Sequence, residues 1–218
     1  MSIDACSCGE VGVGRRIVIT GGPGAGKTAV LELLRKSLCP HVRIAPESAT
    51  ILFGGGFPRD PRPEALRAMQ RAIFHVQLEL EAFMDATGDG IVLCDRGIVD
   101  GAAYWPGPGT LWQAVGTDRE AALQRYSAVV HLRVPDAQGF NHSNPVRTES
   151  AARALEIDRL ILAAWEGHPQ RTIIASTDTF IEKAERALKA VRAALPECCM
   201  SHATAALSTA GTERVLAR

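Results

Sequence analysis

The sequence lacks any uninterrupted apolar run close to the roughly 20 residues that a membrane-spanning helix needs. Its N-terminus, MSIDACSCGE, has neither the basic start nor the apolar stretch of a secretory signal peptide. These two absences predict a cytoplasmic protein without a membrane partner.

The chain also lacks a net charge, because 24 lysine and arginine residues balance 24 aspartate and glutamate residues. Proteins that attract nucleic acid through their overall field carry an excess of positive charge. We therefore expect no nucleic-acid partner, and any anion has to be bound by a local cluster of residues.

Zinc-site spacing is absent as well. The six cysteines include no pair of C-x-x-C motifs and no matching histidines. Free thiols in a reducing compartment are the interpretation that fits this pattern.

What is present is a regular alternation of short apolar runs and amphipathic helical patterns over a chain of 218 residues, enough for one domain with a substantial core. The alternation predicts an α/β fold, a five-stranded parallel sheet with helices on both faces. Residues 1–14 are expected to be a loose leader, 15–195 the domain, and 196–218 a weakly ordered tail. The strands are predicted at 17–20, 42–45, 91–94, 128–134 and 172–175.

Two segments rich in glycine and proline, 54–63 and 104–116, interrupt this alternation. Both are predicted to be irregular loops. The second contains Trp105 and Trp112, whose rings either stack on an aromatic ligand or anchor the loop itself.

The first predicted strand runs directly into a glycine-rich segment that fits G-x-x-x-x-G-K-[ST] at every fixed position. It reads Gly21-Gly22-Pro23-Gly24-Ala25-Gly26-Lys27-Thr28. Glycines let consecutive backbone amides point at phosphate oxygens, and the following helix N-terminus adds partial positive charge. In this motif Lys27 binds the β- and γ-phosphates and the Thr28 hydroxyl binds Mg²⁺. The segment predicts a P-loop of the three-layer NTPase fold.

An acid ends the third predicted strand, Ile91–Cys94, as in a Walker B element. A carboxylate at the carboxyl end of a strand beside the P-loop strand lies where open α/β sheets bind ligands. Asp95 therefore holds Mg²⁺, directly or through water, or accepts a proton in catalysis; the alternative is that it caps the next helix. Arg96 follows directly, and its guanidinium either holds a phosphate or is a solvated charge.

Several motifs together resemble a known family. They are GGPGAGKT, then Pro46-Glu47-Ser48, then Cys94-Asp95-Arg96-Gly97 with Asp100 and Tyr104, then Asn144-Pro145-Val146-Arg147-Thr148-Glu149. In these motifs residues 15–195 resemble the AAA-type P-loop ATPase and kinase-like family related to the nicotinamide-riboside kinase domain. They are more distantly similar to deoxynucleoside and thymidylate kinases.

The resemblance implies roles for individual residues. Glu47 would approach the acceptor hydroxyl as a general base, and Asp95 with Arg96 would serve the metal and the phosphates. Gly97 departs from the Ser, Thr or Tyr common in characterised kinases. The alternative for Glu47 is a carboxylate at a helix start, where the helix dipole favours it.

The resemblance further implies a kinase-like lid between the fourth strand and the following helix. Arg147, and less strongly Arg153, are the candidate lid residues; the alternative is a solvated charge at a helix start. Thr177, after the fifth strand, joins Arg153 and the P-loop among the candidate nucleotide-binding residues.

The function predicted from these features is transfer of the γ-phosphoryl group of Mg-ATP to a small acceptor that resembles a nucleoside or nucleotide. The alternative is a nucleotide-dependent regulatory switch or NTPase that acts through a protein partner. ATP is favoured over GTP because no N-K-x-D element occurs. The sequence does not favour an oligomeric AAA+ motor, since only one helix and a tail follow the last predicted strand. A homodimer is compatible with the sequence.

Overall fold

The computed structural model describes residues 15–38, 41–88, 90–135, 150–176 and 179–196. The predicted leader, and the predicted tail beyond Pro196, lie outside these ranges. So do two of the predicted site residues, Arg147 and Thr177.

Five parallel strands form one sheet within the described residues. Its order, β2-β3-β1-β4-β5, places the P-loop strand β1 in the centre, between β3 and β4. The strands are β1 (Arg15–Thr20), β2 (Val42–Ala45), β3 (Ile91–Asp95), β4 (Ala128–Leu132) and β5 (Arg171–Ile174). The predicted parallel sheet is thereby confirmed.

The described ranges also contain seven α-helices and one 3-10 helix. The α-helices are α1 (Lys27–Ser37), α2 (Ser48–Gly54), α3 (Pro63–Thr87), α4 (Leu111–Val115), α5 (Arg119–Gln124), α6 (Ala151–Ala164) and α7 (Phe180–Ala193); the 3-10 helix is Ile98–Tyr104. Thr179 and Glu182 form the capping box of α7. In the part of the chain that the structure describes, no helix combines the length and the hydrophobicity required to span a bilayer.

Hydrophobic cores lie on both faces of the sheet, as expected for buried parallel strands. On β1, Ile17 and Ile19 belong to the core beneath α1 and α7, while Val18 belongs to the core beneath α3 and α6. All three side chains are fully buried. Burial of each such side chain stabilises the fold by about 1.5–3 kcal/mol. Helices on both faces of the sheet are therefore also confirmed.

The structure confirms one loop prediction and corrects the other. The segment 54–63 is irregular between helix α2, which ends on Gly54, and helix α3, which begins at Pro63. The segment 104–116 contains helix α4, capped by Thr110 and Gln113, with Leu111 buried in the core. Trp105 and Trp112 pack against this core, which favours the anchoring alternative for these rings.

Candidate functional site

The P-loop leaves β1 at a glycine that no other residue could replace without a shift of the backbone. Gly21 has φ 137°, and a Cβ on it would lie 2.1 Å from the carbonyl oxygen of Leu132. Gly24 and Gly26 also have positive φ angles, 79° and 90°. Side chains rarely adopt such angles, so the glycines allow the chain to curl at the start of α1.

Lys27 begins α1, and its side chain folds back into this curl. Its Nζ donates to the carbonyl oxygens of Gly21 and Gly22 over 3.0 and 3.1 Å. Burial, and after it the charge of Arg96, lowers the pKa of Lys27 to about 8. The next residue, Thr28, is exposed in the first turn of the helix. The curl therefore combines a buried cation, an accessible hydroxyl and the unpaired amides of a helix N-terminus.

A buried carboxylate on α6 holds the outer side of the P-loop. Asp158 accepts hydrogen bonds from the Gly22 amide (3.0 Å), from His131 Nε2 (2.9 Å) and from Arg133 Nε (2.6 Å). Burial raises the pKa of Asp158, but these three partners outweigh it and the pKa lies below its ordinary value. Gly22 has no room for a side chain, since a Cβ would lie 2.8 Å from the Cβ of Asp158. The phosphate loop is thus fastened to the helix that follows the predicted lid.

The carboxylate predicted at the end of β3 lies beside the P-loop strand, because Asp95 is in register with Ile19 of β1. Its Oδ1 is buried and has no hydrogen-bond partner in the described part of the chain. Burial, and after it the charge of Glu47, raises the pKa of Asp95 to about 6. A buried carboxylate oxygen without a donor is a suitable ligand for a hard cation such as Mg²⁺.

Arg96 joins the ends of β2 and β3 through two carboxylates. Its Nε donates to Oε1 of Glu47 over 2.6 Å, and its Nη1 donates to Oδ2 of Asp100 over 3.2 Å. Arg96 has φ 70°, an angle uncommon outside glycine, and this turn aims its side chain at both acids. The guanidinium is therefore already balanced by protein carboxylates.

Burial raises the pKa of Glu47, but the Arg96 guanidinium and the hydrogen bond from Thr50 outweigh it, so the pKa lies below its ordinary value. Thr50 Oγ1 donates to Oε2 of Glu47 over 2.5 Å. Glu47 itself caps no backbone amide at the start of α2 with its side chain. The carboxylate is therefore ionised at neutral pH.

Asp100, which follows the Asp95-Arg96-Gly97 motif, lies at the centre of a hydrogen-bond cluster. It accepts from Arg96, from the Thr20 hydroxyl at 2.7–2.8 Å, and from Trp165 Nε1 at 2.5 Å. In the sequence, the spacing of four residues between Arg96 and Asp100 is the one feature that could have predicted this ion pair. Trp165 lies far away in the sequence, and no local pattern links the two.

Gly97, the departure from the kinase pattern, lies where two rings leave no space. A Cβ on Gly97 would be 2.9 Å from Cζ of Tyr126 and 3.0 Å from Cζ2 of Trp165. Tyr126 OH in turn accepts from the amide of Ile98 over 2.8 Å. Packing of the 3-10 helix therefore accounts for glycine at this position.

A cavity of about 800 Å³ opens beside the P-loop residue Pro23. Its walls come from α2, α3 and the 3-10 helix, and Glu47 and Arg96 lie on its surface. Eight further lining residues have apolar or aromatic side chains: Ala49, Phe53, Pro61, Leu66, Met69, Ile73, Ile98 and Tyr104. The volume is in the range of sites for small molecules, about 300–1,000 Å³.

Two amide side chains of α3 also line the cavity. Gln70 is 3% exposed and makes no hydrogen bond with any residue in the described ranges. Gln77 donates from Nε2 to Glu81 and to the carbonyl oxygen of Arg96, while its Oε1 is buried without a partner. Neither amide was singled out from the sequence, because both belong to an ordinary amphipathic helical pattern.

Some predicted residues are not brought to this site. Arg153 pairs with Glu156 over 2.7 Å on the exposed surface of α6. Its contacts are those of a solvated charge at a helix start, the alternative to a nucleotide-binding role. Arg147, Thr177 and the predicted lid lie outside the described residues, and their roles stay predictions. No group of three or more His, Cys, Asp or Glu side chains in the described ranges is arranged to hold a metal ion.

Comparisons with known proteins agree with this geometry. A protein family described as an AAA domain matches residues 16–183. No curated protein sequence matches the chain. Similar solved structures include a thymidylate kinase from Candida albicans and a deoxyadenosine kinase from M. mycoides with bound dATP.

The thymidylate kinase is 13% identical with a TM-score of 0.60, over 82% of this chain and 91% of that chain. The deoxyadenosine kinase is 12% identical with a TM-score of 0.57, over 81% of this chain and 98% of that chain. At these identities the likeness shows a shared α/β P-loop kinase-like fold. The family match covers most of the sequence and confirms the resemblance inferred from the motifs. The chain belongs to this AAA domain family of P-loop proteins.

Proposed function

We propose that this protein is a phosphotransferase that moves the γ-phosphoryl group of Mg-ATP to a small molecule bound in the cavity beside the P-loop. The observation that carries the proposal is the position of Glu47. This carboxylate lies on the cavity wall, which also includes Pro23 of the P-loop. A regulatory NTPase has no need of an acceptor cavity with an ionised acid at its phosphate end.

The P-loop curl supports the donor half of the reaction. The amides at the start of α1 and the Lys27 ammonium would surround the β- and γ-phosphates, and on binding Lys27 would exchange its two carbonyl partners for phosphate oxygens. Thr28 and Asp95 would hold Mg²⁺, which supplies charge neutralisation of the phosphates. The unpartnered Oδ1 of Asp95 fits this assignment.

The transfer itself asks for alignment and for a place for one proton. An acceptor oxygen attacks the γ-phosphorus with a lone pair, and the bond from that phosphorus to the bridging β,γ-oxygen breaks, so that ADP leaves with the bonding electrons. The acceptor proton passes to Glu47, which is ionised and held by Arg96 and Thr50. Arg96 would position the base, since both of its described partners are carboxylates.

The test is acceptor-dependent release of ADP from Mg-ATP, with Mg-GTP in parallel, over a panel of nucleosides, nicotinamide riboside and nucleoside monophosphates. Lys27→Ala should abolish turnover. Lys36→Ala, an exposed lysine of the same helix, should leave it unchanged. Hydrolysis that ignores every acceptor and responds to a protein partner would overturn the kinase proposal in favour of the switch.

A further inference from the structure

The cavity described above also has a charge pattern that bears on its acceptor. The charged side chains among its described lining residues are Glu47, Asp60, Asp100, Arg59 and Arg96. Three of these are carboxylates and two are guanidiniums. The distribution of the two cations decides which part of the cavity could receive an anion.

At the phosphate end the one lining cation is Arg96, and two carboxylates share it. Glu47 accepts from Nε over 2.6 Å and Asp100 accepts from Nη1 over 3.2 Å. Asp100 also accepts from the Thr20 hydroxyl and from Trp165 Nε1. This end of the cavity therefore carries excess negative charge before any ligand binds.

The other lining cation, Arg59, is exposed, and its guanidinium lies 3.7 Å over the ring of Phe53. Asp60 beside it pairs with Arg62 over 2.5 Å. A solvated arginine stacked on a ring offers weak attraction compared with a buried cation. Lys27 is bonded to the P-loop carbonyls and, in the proposed reaction, serves the donor phosphates.

The uncharged lining indicates the body of the acceptor. Apolar side chains such as Leu66, Met69 and Ile73 form most of the wall of α3. The unpartnered Oε1 of Gln77 requires an N–H or O–H donor, and Gln70 can both donate and accept. A buried amide left without a partner costs free energy, so a ligand that satisfies it gains selectivity.

We infer that the acceptor is an uncharged alcohol with a largely apolar body and a hydrogen-bond donor, and that phosphate esters are rejected. This inference rests on the proposed function. It restricts the group that receives the phosphoryl group to a hydroxyl and excludes a phosphate. A phosphate group carries close to two negative charges at neutral pH and would meet Glu47 and Asp100, with Arg96 already paired to both acids and no other cation among the described lining residues at this end. A hydroxyl group, in contrast, can donate a hydrogen bond to either of these two carboxylates.

The experiment compares uncharged alcohols with their own monophosphate esters: thymidine with thymidine monophosphate, adenosine with AMP, and cytidine with CMP. ADP formation is measured at fixed Mg-ATP, and binding is measured with a non-hydrolysable Mg-ATP analogue. We expect kcat/KM of an alcohol to exceed that of its ester at least about 10-fold, because placing like charges next to one another disfavours the ester. An ester that is the better substrate or binds more tightly would overturn the inference and leave the kinase proposal intact.

A variant tests the amide part without touching the phosphate end. Gln70→Leu removes a side chain that bonds no described residue, so the fold should be retained. We expect kcat/KM for the alcohol to fall about 5- to 50-fold while KM for ATP is unchanged. Glu79→Gln, at an exposed position of α3, is the matched control. An unchanged kcat/KM for the alcohol in Gln70→Leu contradicts the inference. ADP formation that is the same with and without every alcohol and ester tested contradicts both proposals.

Discussion

Oε1 of Glu47 lies 2.6 Å from Nε of Arg96, and this ion pair connects the segments that follow two neighbouring strands of the sheet. Glu47 follows β2, and Arg96 follows β3 directly. The pair is mostly buried, with side-chain exposures of 27% and 14%. Its position fixes the carboxylate between the P-loop and the cavity.

Replacement of Glu47 by glutamine should slow the chemical step. The amide keeps the size of the side chain but cannot take up the proton that leaves the substrate hydroxyl. The value of kcat should therefore fall by about 10²–10⁴. KM for ATP should change by less than about threefold, because the acid serves the acceptor side. Single-turnover kinetics measure this directly. Glu64→Gln, at an exposed position of α3, is the control, and equal rates in both variants would return Glu47 to a structural role.

Lys27 should make nucleotide affinity depend on pH. Its pKa of about 8 means that the free protein loses the lysine charge as pH rises through 8, while bound phosphates favour the charged form. Below pH 8 the affinity should therefore be constant, and above it the affinity should fall by up to about tenfold per pH unit. Calorimetry at about pH 6.5 and 9, in buffers of different ionisation heat, also counts the proton taken up. Constant affinity over this range would contradict the assignment.

Asp95 should affect metal use and stability with opposite signs. Its pKa is raised from 3.8 to about 6, so folding favours its protonated form, and the resulting loss of stability develops as pH rises from about 4 to 6. At neutral pH Asp95→Asn should then stabilise the free protein by about 1–3 kcal/mol. The same variant should need about 10-fold more Mg²⁺ or higher for half-maximal activity. Urea unfolding and a Mg²⁺ titration check the two effects, and an unchanged titration would remove Asp95 from the metal site.

Asp158 should be required for a correctly held P-loop. Asn at this position has one acceptor fewer and adds N–H groups among the donors of Gly22, His131 and Arg133. We expect a loss of about 3–5 kcal/mol in the free energy of unfolding. In the fraction that stays folded, we expect weaker binding of Mg-ATP. Glu156→Gln, an exposed change on the same helix, should stay within about 0.5 kcal/mol of the parent.

The fold and the phosphate loop could be predicted because both are encoded locally. Apolar runs such as Ile17–Thr20 and Ile91–Cys94 alternate with helical patterns, and one contiguous segment carries the whole P-loop. The acids Glu47 and Asp95 could be found because each follows a strand, and parallel strands end at the same edge of the sheet.

The rest of the site depends on contacts between distant residues, which no local pattern encodes. Asp100 meets Trp165, and Gly22 meets Asp158, across large sequence separations. Gln70 and Gln77 differ from the other polar residues of α3 only in the direction they face, which packing against α2 and the 3-10 helix decides. Helix α2 was missed because seven residues are too few for a helical period to be distinguished from a loop.

The crowding around Gly97 has a consequence for the evolution of this family. Because a Cβ at this position would lie 2.9 Å from Cζ of Tyr126 and 3.0 Å from Cζ2 of Trp165, a homologue with Ser or Thr there must either shift one of these two rings or replace it by a smaller side chain. Exchanges at the three positions should therefore covary among homologues, and a tryptophan at the position of Trp165 should occur together with glycine at the position of Gly97.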